Sequence, residues 1–416
     1  MLDRVPTHAR YIYARAFRAA DGAYYNGRVA ATTKARATHW KRWESFVKPL
    51  GIDPYLQRAS FQERVRALTG FAGLYRDGYF SHRGKQVRAP TVSSAITAIG
   101  KACALAHGIN PTKEANSDKY LSRLQEMFEG MRKDDPATTK QLPVEADVPE
   151  LLVKRGLRPG ATELERAVGD WATNAFYFLL RIGEYTVKGK GTRPNETQTQ
   201  QFRMKDVIFF RTSSTGRIYQ LPRNARRHDI ESATSATLLL TNQKNGWKGV
   251  CINHEHNGDD TFCAIRALGR RYLHIRDHTS DYETMLSAYF IDGVKYHVTY
   301  DDIKAGLKWA ATTLDYPNTR GIPLSLINTH SLRIGGACAL ALAGYSDTEI
   351  QKMGRWRGVT FKEYIRENLS NYSEGMSRAM KKVHGFVNVG SGAFTDVTAQ
   401  CVNTAYGAPI QPGQKS

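Results

Sequence analysis

The chain has 416 residues, enough for two domains with separate cores, and a hydrophobic fraction of 41% that is ordinary for a water-soluble protein. It has no run of 18 apolar residues, which excludes a transmembrane helix on hydropathy grounds. Its 59 Lys and Arg stand against 39 Asp and Glu, a net charge of +20 that points to a polyanionic partner, nucleic acid foremost.

Residues 1–27 carry Tyr, Ala and Arg without a sustained period and are expected to form a flexible arm. They lack the continuous apolar core of a secretory signal, although an Arg-rich, acid-poor start is compatible with a transit peptide. The cysteines (Cys103, Cys251, Cys263, Cys338 and Cys401) are scattered and odd in number, which fits free thiols in a reducing compartment, nucleus or cytoplasm.

Residues 28–135 read as a compact helical unit with an excess of basic side chains. A first helix over about 32–47 places Trp40, Trp43, Phe46 and Val47 on one face. A second, over 60–77, repeats Phe61, Val65, Leu68, Phe71 and Leu74 at helical spacing. A third opens at Pro90-Thr91 and stops before Gly108-Ile-Asn-Pro111. A fourth, over 118–132, turns Leu121, Leu124 and Phe128 inward. Residues 136–146 are polar, carry two prolines and have little periodicity, and are expected to be a linker.

Residues 147–388 form the second expected unit. A helix from about 162 runs into Phe176-Tyr-Phe-Leu-Leu-Arg181-Ile-Gly-Glu184-Tyr, apolar nearly all round and therefore buried, yet ending in an Arg and a Glu. Strand-like runs follow at 207–210, 218–221 and 236–241, the last joined through Asn245-Gly246 to 249–252, a hairpin signal. Helical patterns cover 261–276 and 300–314. From His330 the sequence reads HSLRIGGACALALAGYSDTEIQKMGRW: an apolar helix, a break at Gly344, and a second helix announced by Ser346 with Glu349 three residues on. Residues 389–416 are rich in Gly, Thr, Gln and Pro and are expected to be disordered. The fold class expected is mainly α with a small antiparallel β-sheet.

Three-residue spacing puts His330 and Arg333 on one helix face, and Trp356 and Tyr364 follow. These side chains suit a phosphodiester, whose transition state adds negative charge that bidentate guanidinium donors stabilise. Tyr364 can be a nucleophile, Arg181 and Arg333 a clamp, and His330 a group that orients a phosphoryl oxygen or accepts the Tyr proton. A hairpin lysine, Lys244 or the nearby Lys248, can protonate the leaving hydroxyl. No carboxylate cluster of metal-binding type is evident, so no metal or other cofactor is expected. Cys251, His254, His256 and Cys263 match no common zinc spacing. Residues 337–355 can also be read as a helix-turn-helix, against which Asp347 and Glu349 would repel DNA.

Residues 176–366 resemble the catalytic domain of the tyrosine recombinases, the phage-integrase family. LLRIGEYT is similar to the segment bearing that family's first arginine, here Arg181, and HSLR to its His-x-x-Arg box, here His330 and Arg333. Trp356 stands for its next position and Tyr364 for its nucleophile, at a separation of eight that leaves Arg355 as a rival for the Trp356 place. The wording through YIR is closest to recombinases of eukaryotic mobile elements, of the Crypton and tyrosine-recombinase retrotransposon type. The resemblance makes 28–135 a SAM-like core-binding domain and Lys244 the catalytic lysine. It implies a site-specific recombinase or integrase that grips double-stranded DNA, works as a tetramer and forms a 3′-phosphotyrosyl intermediate. A type IB topoisomerase and a non-catalytic DNA-binding protein are the alternatives.

Overall fold

The computed structural model describes residues 5–26, 30–82, 84–137, 140–187, 201–241, 249–356, 358 and 362. It is mostly helical with a small antiparallel sheet, the expected class. Among the described residues no helix is long and apolar enough to cross a membrane.

The stretch expected to be an arm holds helix α1, Arg10–Asn26, with Tyr11, Ile12 and Phe17 exposed. Helices α2 (Ala30–Val47), α3 (Phe61–Arg76), α4 (Ala89–His107) and α5 (Ser122–Asp134) then enclose one core. The expected stripes supply it: Trp43, Val47, Leu68, Phe71, Val92, Ile96, Leu124 and Phe128 are all buried. Trp43 keeps its indole N–H satisfied by donating to the Pro54 carbonyl at 2.8 Å. Ser60 and Glu63 close a capping box at the start of α3, and Gly108 ends α4 at φ +77°. α5 begins four residues later than the sequence pattern suggests. Residues 113–120 instead fold back as a Lys113–Tyr120 bridge, and the Glu114 carboxylate accepts from the Ser122 N–H at 2.9 Å.

The segment expected to be a linker is anchored just before its start and again near its end. Asp135 pairs with Arg76 and accepts from the Ala89 N–H at 2.9 Å. Further on, Leu142 donates to the Leu326 carbonyl at 3.1 Å and Val144, itself buried, to that of Ser331 at 3.3 Å.

The remaining elements share a second core. Helix α6 (Asp147–Leu157), which the sequence reading passed over, lies along α7 (Glu163–Tyr177). After the short α8 (Ile182–Tyr185) come strands β1 (Val207–Thr212) and β2 (Ile218–Gln220), the short helix α9 (Arg227–Glu231), and strands β3 (Ser235–Leu240) and β4 (Val250–Glu255). The sheet order is β2-β1-β3-β4, antiparallel throughout. Leu240 pairs with Val250, as the expected hairpin requires; its Asn245-Gly246 turn lies outside the described residues. Helix α10 (Ala264–Arg276) precedes a second hairpin, β5 (Ala288–Ile291) and β6 (Val294–His297), which the sequence reading missed. Its turn, Asp292-Gly293, has both residues at positive φ (49° and 78°), the type I′ geometry that an Asp-Gly pair signals. Helices α11 (Tyr300–Thr313), α12 (Tyr316–Thr319), α13 (His330–Leu342) and α14 (Asp347–Gly354) complete the described fold.

α13 crosses α7 at backbone contact distance. A Cβ on Gly336 would stand 2.2 Å from the Phe176 carbonyl oxygen, and one on Gly335 1.9 Å from that of Val144. Neither neighbour is a side chain that can swing aside. Gly336→Ala should therefore cost about 1–3 kcal/mol of stability, read as a lower urea midpoint at an unchanged slope.

Candidate active site

The site is built from two helix ends that meet. α7 stops at Tyr177, where Leu180 donates to the Ala175 carbonyl at 3.0 Å and Leu179 lies left-handed at φ +48°. This is the six-to-one bond of a Schellman stop, with leucine where glycine is usual. The left-handed form costs an L-residue about 1–2 kcal/mol, and burial of Phe178, Leu179 and Leu180 offsets it. α14 ends the same way: Trp356 donates to the Gln351 carbonyl at 3.1 Å, and Arg355 is left-handed at φ +57°.

Two arginines fasten these ends together. Arg355 donates through Nη2 to the Leu179 carbonyl at 2.8 Å and to Glu184 Oε2 at 3.1 Å. Arg333, one turn into α13, donates through Nη1 to the same Leu179 carbonyl and through Nη2 to the Gly354 carbonyl. The Trp356 indole lies over the Arg333 guanidinium at 4.3 Å, a cation–π contact. Gly354 makes room for it, since a Cβ there would fall 1.5 Å from the ring.

Arg181 follows the Leu179 bend and caps α8. Its N–H donates to Glu184 Oε2 at 2.8 Å, its Nη1 meets Oε1 at 3.2 Å, and its Nη2 donates to the Arg355 carbonyl at 3.4 Å. Glu184 and Arg355 are wholly buried and Arg333 is 1% exposed, whereas 26% of the Arg181 side chain reaches solvent. Burial draws Arg355 below the usual arginine range, and Glu184 opposes that shift.

His330 opens α13. Asn328 prepares that start: its N–H donates to Ser331 Oγ at 3.0 Å, and its Oδ1 accepts from the Thr329 N–H at 2.8 Å. Burial pushes the imidazole down to about 4, with Arg333 and then Arg181 adding repulsion. His330 is thus neutral at pH 7 and can donate one hydrogen bond while accepting another. Arg181 and Arg355 pair with one carboxylate, Glu184, and Arg333 shares the Leu179 carbonyl with Arg355, so among the described residues the cluster carries excess positive charge suited to an oxyanion.

Arg181, His330, Arg333 and Trp356 are therefore brought together. Lys244, its rival Lys248, and Tyr364 lie outside the described residues. Near the last of these, Lys362 pairs with Asp347 at the start of α14. Arg333 is more deeply placed than a phosphate clamp on an open surface: its Nη1 and Nη2 donate to backbone carbonyls. Of the two rivals, Arg355 points into the structure and Trp356 covers Arg333. The zinc-like residues are spread apart in role. His254 Nε2 sits 2.8 Å from the Tyr177 carbonyl oxygen, Cys251 is exposed and Cys263 is buried. In the helix-turn-helix stretch, 337–355, Ala337, Cys338, Ile350, Gly354 and Arg355 are buried, Ile350 packs on Leu179 and Ile334, and residues 342–349 are exposed. Sequence reasoning missed the Leu179 carbonyl and the burial of Arg355; the available signal was Glu184, a lone acid among arginines.

No protein-family model and no curated protein matches the chain. Among solved structures it is similar to the Tn1549 transposon integrase in complex with transposon right end DNA, at 13% identity over 76% of this chain and 84% of that one, with a TM-score of 0.38. It is also similar to XerA recombinase, at 13% identity over 84% of this chain and 100% of that one, with a TM-score of 0.34. Likeness at this level carries no weight for function, which has to stand on the site itself.

His330 gives a direct check. Its imidazole should titrate near pH 4 by NMR, and inorganic phosphate should raise that midpoint. The unfolded chain takes up this proton near 6.5 and the folded one only near 4, so stability should fall as pH drops between those values. His39, His254, His274 and His297 are also lowered and add to the slope, so His330→Asn should flatten it in part.

Proposed function

We propose that the chain is a DNA strand transferase of the tyrosine-recombinase type, a site-specific recombinase or integrase. The observation that carries the reading is the meeting of Arg181 with His330, Arg333 and Trp356, some 150 residues further along the chain, in one cluster of excess positive charge.

In this reading Tyr364 attacks a phosphodiester and forms a 3′-phosphotyrosyl link as the P–O5′ bond breaks, and Lys244 or Lys248 protonates the leaving 5′-oxygen to give a 5′-hydroxyl. Arg181, the most exposed guanidinium of the cluster, takes the phosphoryl oxygens first. Neutral His330 accepts the Tyr proton or donates to a phosphoryl oxygen. Arg333 supplies positive charge from below, with its fork held on the Leu179 and Gly354 carbonyls. A 5′-hydroxyl from another strand reverses the first step. The covalent link keeps the bond energy, so the reaction needs no ATP and no metal. Exchange between two duplexes calls for four active sites, hence a tetramer on DNA. Residues 28–135 act as the core-binding domain, after an N-terminal arm and before the 136–146 linker; 147–388 act as the catalytic domain. Placement among eukaryotic mobile elements rests on the motif wording alone.

The test is a nicked suicide duplex carrying a site selected from a random-sequence library. The wild type should form a covalent adduct and Tyr364→Phe none, and Arg181→Lys should slow adduct formation about 10²–10³-fold. Adduct in Tyr364→Phe would move the nucleophile elsewhere. Binding without adduct in any variant would favour a non-catalytic DNA-binding protein.

A further inference from the structure

Glu184 is a wholly buried carboxylate shared between two arginines. Oε1 faces Arg181 Nη1 at 3.2 Å and Oε2 faces Arg355 Nη2 at 3.1 Å. A buried carboxylate gains most from a bidentate fork, so a guanidinium left alone with Glu184 would turn both Nη groups onto it. Arg355 prevents that by filling the place on Oε2 that the Arg181 N–H leaves open. Its backbone also acts on Arg181, since its carbonyl accepts from Arg181 Nη2 at 3.4 Å. Arg355 can do both because its left-handed backbone turns the side chain inward to Leu179 and Glu184 at the end of α14.

We propose that Arg355 is a positioning residue: by holding Glu184 Oε2 and the Arg181 Nη2, it keeps the Arg181 guanidinium from closing on Glu184 and aims it outward at the phosphate. The inference rests on the reading of Arg181 as a phosphate ligand. It assigns Arg355 a role that neither a core residue nor a phosphate contact would have, because the residue acts only through Arg181.

The experiment is a double-mutant cycle on the full chain. Inorganic phosphate is titrated against the wild type, Arg355→Lys, Arg181→Lys and the double variant by ³¹P NMR, with thermal melts run alongside. Lysine keeps the charge of Arg355 but not its fork. Arg355→Lys should weaken phosphate about tenfold, and should weaken it no further in the Arg181→Lys background. Should Arg355→Lys melt below the assay temperature, Arg355→His, which tolerates the left-handed backbone better, carries the same comparison. Wild-type affinity in a folded Arg355 variant, or losses that multiply in the double variant, would overturn the positioning role and leave the phosphate site standing. Absence of phosphate binding by the wild type would instead remove the site, and the inference with it.

Discussion

The carbonyl oxygen of Leu179 is the point on which the site depends. It accepts from Arg333 on α13 and from Arg355 at the end of α14, and it is exposed to both because the chain turns left-handed there. Had α7 continued, that oxygen would have been spent on an amide four residues on. The strained leucine is therefore what lets three segments, distant in sequence, share one acceptor. Strain of this kind persists where the surroundings over-determine it, and here packing and two guanidinium donors do so.

Electrostatics follows from the same arrangement. Among the described residues the cluster has more guanidinium groups than carboxylates, and Glu184 stands in contact between Arg181 and Arg355. Bringing like charges together in a partly dry place is unfavourable without a counter-charge. His330 responds by staying neutral, which spares the cluster a further cation and leaves it able to exchange a proton. A phosphodiester would add negative charge beside these guanidinium groups.

Much of this was legible in the sequence, and the rest was hidden for identifiable reasons. Hydrophobic stripes located α2, α3 and α4, because their cores are local and helical. The capping box at Ser346 located α14. The stop of α7 was invisible, since a Schellman turn carrying leucine lacks the glycine that marks such ends, and an unbroken apolar run reads as one helix. β5 and β6 were missed through neglect of an Asp-Gly pair that was there to be seen. Of the candidate site, the residue types and their pairing of His330 with Arg333 could be read from spacing. Depth could not: nothing in one dimension says that Arg333 and Arg355 spend donors on carbonyls while Arg181 keeps a face to solvent. Nor does the sequence decide between Arg355 and Trp356, which differ by one position but meet different partners, Glu184 and Arg333.

The stretch joining the two cores has a mechanical consequence. Its Val144 is hydrogen-bonded to Ser331 and its carbonyl oxygen abuts Gly335, so it is moored to the very turn that bears His330 and Arg333. Tension along this tether would reach the first turn of α13 before it reached the sheet or the helices behind it. The start of α13 is thus pinned from two sides, by the Val144 carbonyl at Gly335 and by that of Phe176 at Gly336.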